Sequence, residues 1–323
     1  QKCYCKNPSI NGRKKTHRVK FAKQILYHHM KELRIIFMGT PDFAVATLNA
    51  LVEAKYNVVA VITAPDKPAG RGRKLNQSAV KKYALSKELE ILQPLNLKNP
   101  DFLDNLASFQ ADLQIVVAFR MLPKQVWAMP KLGTFNLHAS LLPDYRGAAP
   151  INWAIINGET QTGVTTFFIN EDIDTGAVIK QETTEISENM TAGELHDILM
   201  MLGSKTVVET VEMIEKGKID PIKQKEGDFN PAPKLNKDNC RINWDQPLGK
   251  IYNQIRGLNP YPGAWTILKN KGEEIELKIY KGNMVLEEHE ISPGTVLISK
   301  KQLRVATQNG FLDITDLKMS GKK

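Results

Sequence analysis

The chain has 323 residues, 42% apolar and 24% charged, which suits a globular protein of two domains and excludes a disordered or fibrous one. No apolar run is long enough to cross a bilayer, and three unevenly placed cysteines (Cys3, Cys5 and Cys240) make no disulfide framework, which fits a reducing compartment. The formal charge of +9 invites a nucleic-acid reading, but eight positive charges and no acid stand before Met30, leaving +1 for the remainder, so any such reading must rest on local patches.

Residues 1–29 show no sustained apolar periodicity and are expected to be a disordered extension outside the fold. The Cys3-x-Cys5 pair near His17, His28 and His29 matches no common zinc spacing, so no metal is expected. The basic, acid-free leader also allows a second reading as an organellar transit peptide. The expected location is therefore cytoplasmic, or an organellar matrix in that second case.

The run from Leu33 to Met38 predicts a buried strand, Gly39-Thr40-Pro41-Asp42 a turn, and the next residues a helix to about Ala54. This is the opening of a Rossmann-like unit without the dinucleotide fingerprint, since Gly39 stands alone, which speaks against a nicotinamide dehydrogenase. A strand over 57–63 follows, then Pro65 to Lys74, where two prolines and two glycines exclude a helix or a central strand. Lys67, Arg71, Arg73 and Lys74 stand there against one acid, Asp66; beside a strand's carboxyl end, such a loop suits a polyanionic substrate. Helices over about 78–89 and 101–108, a short strand near 90–92 and a central strand over 111–119 continue the alternation, which implies a parallel sheet.

The stretch Phe135 to Pro150 (FNLHASLLPDYRGAAP) opens as a strand, so Asn136 and His138 point the same way, with Ser140 following. At the carboxyl edge of a parallel sheet, an amide, an imidazole and a hydroxyl would form a row of hydrogen-bonding groups where α/β enzymes hold ligands. An Asn-x-His pair by itself is a weak signal, and a lone His after a strand is more often a structural hydrogen-bonder. A helix over 151–156, strands over 162–169 and 177–186, an acidic loop holding Asp174, and a helix capped by Thr191 and reaching about Lys216 complete the first half. Residues 217–237, with three prolines, read as a linker. From 238 to the end, one helix and several short strands with glycine turns suit a small barrel.

Asn136-x-His138, the run Ser140-Leu141-Leu142-Pro143-x-x-Arg146-Gly147, and Ile173-Asp174-Thr175-Gly176 resemble the formyltransferases that use 10-formyltetrahydrofolate. Gly39-Thr40-Pro41-Asp42-Phe43, Pro65 to Gly72 (PDKPAGRG) and Leu258-Asn259-Pro260-x-Pro262-Gly263-Ala264 narrow the resemblance to the branch acting on methionyl-tRNA. It covers about Leu33 to the end. Phe119-Arg120-Met121-Leu122 departs from the family's more usual Tyr-Gly, and the end at Lys323 is shorter than expected.

The resemblance implies a Rossmann-like, mostly parallel α/β domain over 30–216 and an OB-like, tRNA-contacting barrel over 238–323. It implies a monomeric enzyme, off the membrane, that moves a formyl group from 10-formyltetrahydrofolate to the methionyl amine of initiator tRNA without a metal. Asn136, His138 and Asp174 would be its catalytic trio: two donors for the oxyanion, and a carboxylate that holds the imidazole and takes up the amine's proton through water. Phe119, Arg120, Met121, Leu122, Ser140, Leu141, Leu142 and Pro143 would line the folate site, and Lys67, Arg71, Arg73 and Lys74 would meet tRNA. Two readings compete: a formyltransferase for a small metabolite, against which the basic loop and second domain argue, and a non-catalytic RNA binder on an old enzyme fold, against which the intact trio argues.

Overall fold

A computed structural model describes residues 33–69, 74–270 and 272–319. The basic leader, Arg71 and Arg73 lie outside the described residues, as does the side chain of Lys74. No described helix is long and apolar enough to cross a membrane.

In chain order, β1 (Arg34–Gly39) is followed by α1 (Asp42–Glu53), β2 (Asn57–Ile62), β3 (Lys67–Ala69), β4 (Lys74–Asn76), α2 (Ala79–Ser86), β5 (Ile91–Leu92) and α3 (Pro100–Ser108). Then come β6 (Leu113–Val117), α4 (Lys124–Trp127), β7 (Thr134–His138), β8 (Arg146–Gly147), α5 (Pro150–Ile156), β9 (Gln161–Phe168), β10 (Val178–Glu185) and α6 (Ala192–Glu215). The rest holds β11 (Pro231–Ala232), α7 (Leu248–Gly257), β12 (Ala264–Asn270), β13 (Glu273–Val285), β14 (Val296–Ile298), β15 (Leu303–Ala306) and β16 (Phe311–Met319).

The main sheet has the order β10-β9-β7-β6-β1-β2-β5. Strands β5, β2, β1, β6 and β7 run parallel, while β9 pairs antiparallel with both β7 and β10. The apolar run of β1 explains its central place: Ile35, Ile36, Phe37 and Met38 are completely buried. Burying each such side chain contributes on the order of 1.5–3 kcal/mol. Because the parallel strands share a direction, β1, β6 and β7 all end on one edge, where they hand over to Pro41, Phe119 and Ala139.

The basic stretch is flanked by β3 and β4. Its flanks pair as a two-stranded hairpin, Lys67 opposite Asn76. Asp66, at the foot of that hairpin, accepts from Lys81 Nζ at 2.6 Å and Gln93 Nε2 at 2.8 Å, so this acid ties the foot of the hairpin to α2 and to the segment after β5. Those bonds, chiefly the one from Lys81, hold its carboxyl below the usual range.

The second half is a five-stranded antiparallel sheet in the order β12-β13-β16-β15-β14, the OB-like half-barrel expected. The 13-residue β13 bends where its register shifts around Lys281. The core under this sheet joins Leu248, Ile251 and Ile255 of α7 to Ala264, Ile279 and Leu312. Trp265 packs beside that core and donates from Nε1 to the Lys237 carbonyl at 2.6 Å, a structural use of the ring.

The expected linker is not slack. Ile222 exchanges two backbone bonds of 2.8 Å with Val178, and β11 pairs parallel with β8, so residues 217–232 run back across the loops of the main sheet.

Candidate active site

A cavity of about 740 Å³ opens at the carboxyl edge of the parallel strands. Asn136 and His138 both line it, as alternation along β7 requires, and Asp174 joins them from the loop after β9. β9 runs antiparallel to β7 and ends beside Phe135, and residues 169–177 carry the chain back to His138.

His138 is buried, at 6% exposure. Its Nε2 lies 2.8 Å from the carbonyl oxygen of Tyr145, which can only accept, so Nε2 carries a proton and is spent on that bond. Nδ1 alone is left to serve as the expected oxyanion donor, and it faces Asp174 Oδ2 at 3.9 Å. That gap is too long for a hydrogen bond and short enough for one proton-carrying group to reach both atoms. The Asn136 amide, half-buried, has no protein partner among the described residues and opens into the cavity.

Two strained backbones hold these groups. Tyr145 has φ +61° and Asp174 has φ +54°, a left-handed region that costs a residue with a side chain about 1–2 kcal/mol. Tyr145 is fixed by its N–H, which donates to the Asn230 carbonyl at 2.6 Å, and by its hydroxyl, which donates to Glu159 at 2.5 Å. Burial first, and then the bond to Glu159, push that phenol's pKa well up, so it remains a donor. Asp174 Oδ2 accepts from the Gly147 N–H at 3.0 Å. Gly147 is required there: its φ is +124°, and a Cβ would come within 2.5 Å of the Ala232 carbonyl oxygen. Gly176 closes the acidic loop just as tightly, since a Cβ would stand 1.6 Å from the Phe168 oxygen.

The predicted folate residues divide. Phe119, Arg120, Met121 and Leu122 line the cavity, with Phe119 and Leu122 packed from behind by the core. Arg120 lies over the Phe119 ring, 5.6 Å from its centroid, and donates to the carbonyls of Pro94 and Leu95. Ser140, Leu141, Leu142 and Pro143 do not line the cavity. The reason is that the strand ends at His138 and the chain turns in toward β9 and β10. The Ser140 hydroxyl donates to the Asp144 carbonyl at 2.6 Å, and the Leu142 N–H and C=O bind Thr165 and Gln181. Of the predicted tRNA residues, Lys67 is exposed on the hairpin. Sequence reasoning missed Phe43 and His196, whose rings meet edge-on at 5.3 Å on the cavity wall, because they come from the distant helices α1 and α6.

The family model for formyl transferase matches residues 33–211, and that for the formyl transferase C-terminal domain matches 234–323. The chain is 56% identical over 295 residues to the methionyl-tRNA formyltransferase of Flavobacterium johnsoniae, covering 91% of this chain and 94% of that one. It is 53% identical over 299 residues to that of Bacteroides thetaiotaomicron, covering 91% and 93%. Among solved structures it resembles an N-formyltransferase from Helicobacter canadensis in complex with folinic acid and dTDP-3-aminofucose, with TM-score 0.64, 21% identity and coverage of 88% and 99%. A sugar 3N-formyl transferase, WlaRD, matches with TM-score 0.64 and 23% identity over 90% and 99%. At those identities the solved structures speak to the fold alone, whereas the family models and the close relatives speak to descent: the chain belongs to the formyl transferase family, among the methionyl-tRNA formyltransferases.

Proposed function

We propose that the chain transfers the formyl group of 10-formyltetrahydrofolate to the α-amine of the methionyl group on initiator tRNA, giving formylmethionyl-tRNA for translation initiation. The observation that carries this reading is the convergence of the Asn136 amide, His138 Nδ1 and the Asp174 carboxylate on one cavity. Its relatives at more than half identity bear the name of that activity.

The apolar side of the cavity, with Val116, Phe119 and Leu122, fits a flat pterin ring, and the folate supplies the carbon to be moved. The neutral amine attacks that carbon, a C–N bond to the methionyl group forms, and the bond to the folate nitrogen breaks. Negative charge develops on the formyl oxygen. Asn136 Nδ2 donates to it from a fixed position, and His138 Nδ1, once it holds a proton, donates a second bond. Asp174 takes the attacking amine's proton, directly or through one water, and the proton ends on the folate nitrogen that leaves. The Tyr145 carbonyl keeps the other imidazole nitrogen protonated, so the proton traffic stays on Nδ1.

For the tRNA we assign the basic stretch, with Lys67, Arg71, Arg73 and Lys74, and the C-terminal sheet. We place the work in the cytoplasm, performed by a monomer. The deciding experiment is transfer of labelled formyl from the folate to methionyl-tRNA, compared with an amino sugar and an amino ribonucleotide as acceptors. Labelled methionyl-tRNA is the expected product; label only on a small acceptor would refute the reading.

A further inference from the structure

Gln224 lies in the stretch expected to be a linker and does not line the cavity. It is buried, at 7% exposure, and every polar atom of its amide is engaged. Nε2 donates to the carbonyls of Asp174 at 2.9 Å and Gly176 at 2.8 Å. Oε1 accepts from Arg146 Nε at 3.1 Å and Nη2 at 2.6 Å. Carbonyls only accept and a guanidinium only donates, so the partners fix which way the amide points. The Arg146 guanidinium, also 5.9 Å from the Phe229 ring centroid, is thereby committed to the protein's own framework.

The two carbonyls flank Thr175, at the turn where Asp174 holds its left-handed backbone. That conformation persists only where the surroundings over-determine it. The Gly147 N–H fixes the carboxylate end of Asp174, and Gln224 fixes the main-chain end. The paired backbone bonds between Ile222 and Val178 deliver Gln224 to this place.

We propose that Gln224, backed by Arg146, is the positioning residue for Asp174, and that it sets the reach of the carboxylate toward His138 Nδ1 without touching either substrate. The proposal rests on reading Asp174 as the proton acceptor. It explains why an amide stands here. A glutamate would pair with Arg146 yet turn lone pairs toward two carbonyls, and a methionine would fill the space while offering no donor.

The test is a double-mutant cycle read by single-turnover formyl transfer, with Gln224→Met, Asp174→Asn and the double variant. Gln224→Met is expected to slow transfer about 10- to 100-fold, the scale of a displacement of about 1 Å. Folate affinity and tRNA affinity should stay close to the parent, while the melting temperature should fall, because the Arg146 guanidinium and two carbonyls lose their partner. In the Asp174→Asn background the same substitution should change the rate less than about twofold, because the group it positions is already disabled. Gln224→Glu should be slowed at least as much as Gln224→Met. Equal fold-losses in both backgrounds overturn the proposal and make Gln224 a general support, as does a parental rate for Gln224→Met. A parental rate for Asp174→Asn alone overturns the proton-acceptor reading as well. Should Gln224→Met not fold, Arg146→Lys, which removes the forked donor and keeps the amide, goes through the same cycle.

Discussion

Each side chain of the trio is held by a different kind of constraint: Asn136 by strand register, His138 by a carbonyl on one nitrogen, and Asp174 by a strained turn. Asn136→Ala and His138→Ala are each expected to slow formyl transfer about 100- to 1000-fold, the loss typical of one oxyanion donor, with folate affinity within a few-fold of the parent. Rapid kinetics with a folate titration alongside checks this, and a rate near the parent's in either variant would sink the donor assignment. Asp174→Asn keeps the shape but cannot take a proton, so turnover should fall while folate binding holds; loss of binding alone would make Asp174 a binding group. Gly147→Ala meets both a forbidden φ and a carbonyl 2.5 Å away, so a drop in melting temperature should accompany loss of activity.

At the scale of single elements, α6 shows how a local signal becomes a stability term. Thr191 accepts from the Glu194 N–H, and the Glu194 carboxylate accepts from the Thr191 N–H at 2.8 Å, a complete capping box. Losing the Thr191 cap should cost about 1 kcal/mol. The Thr191 N–H, and next its hydroxyl, hold the Glu194 carboxyl below its usual range. A depressed folded pKa means that this stabilisation is present above the unfolded value of about 4.3 and is lost as pH falls through the folded value. Glu194→Ala should therefore melt below the parent at pH 7 and converge with it in stronger acid; a gap that ignores pH would discount the capping bond. The basic stretch around Arg71 carries a second element-scale prediction. Arg71→Ala should lower kcat/KM for methionyl-tRNA, leave the folate Kd unchanged, and flatten the slope of log affinity against log salt by roughly 1, as loss of one phosphate contact requires. An unchanged slope and unchanged tRNA efficiency would remove the basic stretch from the tRNA site.

Across the whole molecule, the two halves meet at a seam where Ile156 packs against the C-terminal core and several polar groups cross. Asn152 donates to the Gly257 carbonyl at 2.7 Å, Tyr252 to Asn189 at 2.7 Å, and the buried Arg256 to the Met190 carbonyl at 2.9 Å. Burial lowers the pKa of Arg256, which has no acid in direct contact among the described residues and is held by neutral oxygens, including Asn253 Oδ1. Removing it should cost about 1.5–3 kcal/mol, the scale of a hydrogen bond from a charged group. If the C-terminal sheet orients the tRNA, Arg256→Leu should also lower kcat/KM for methionyl-tRNA and spare the folate Kd. Equal losses in both would show that the seam serves the cavity rather than the orientation.

What the sequence by itself determined was whatever repeats with a local period or a short motif. The continuous apolar runs marked β1 and β6; alternation along β7 put Asn136 and His138 on one face; Thr191 marked the start of α6. Glycine turns and short strands marked the second domain. What only the tertiary structure decided depends on partners far apart in the chain. The resemblance implies folate contacts at Ser140 to Pro143, yet the Ser140 hydroxyl is engaged by the Asp144 carbonyl and the Leu142 backbone by Thr165 and Gln181. The free nitrogen of His138 is chosen by the carbonyl of Tyr145, whose backbone is itself set by Asn230. Gln224 looks like any polar residue in a proline-rich stretch, since nothing nearby in sequence shows that two carbonyls and a guanidinium from distant loops converge on its amide. Secondary structure is written in neighbours two to four residues apart; a hydrogen-bond network spanning 78 residues is written only once the chain has closed on itself.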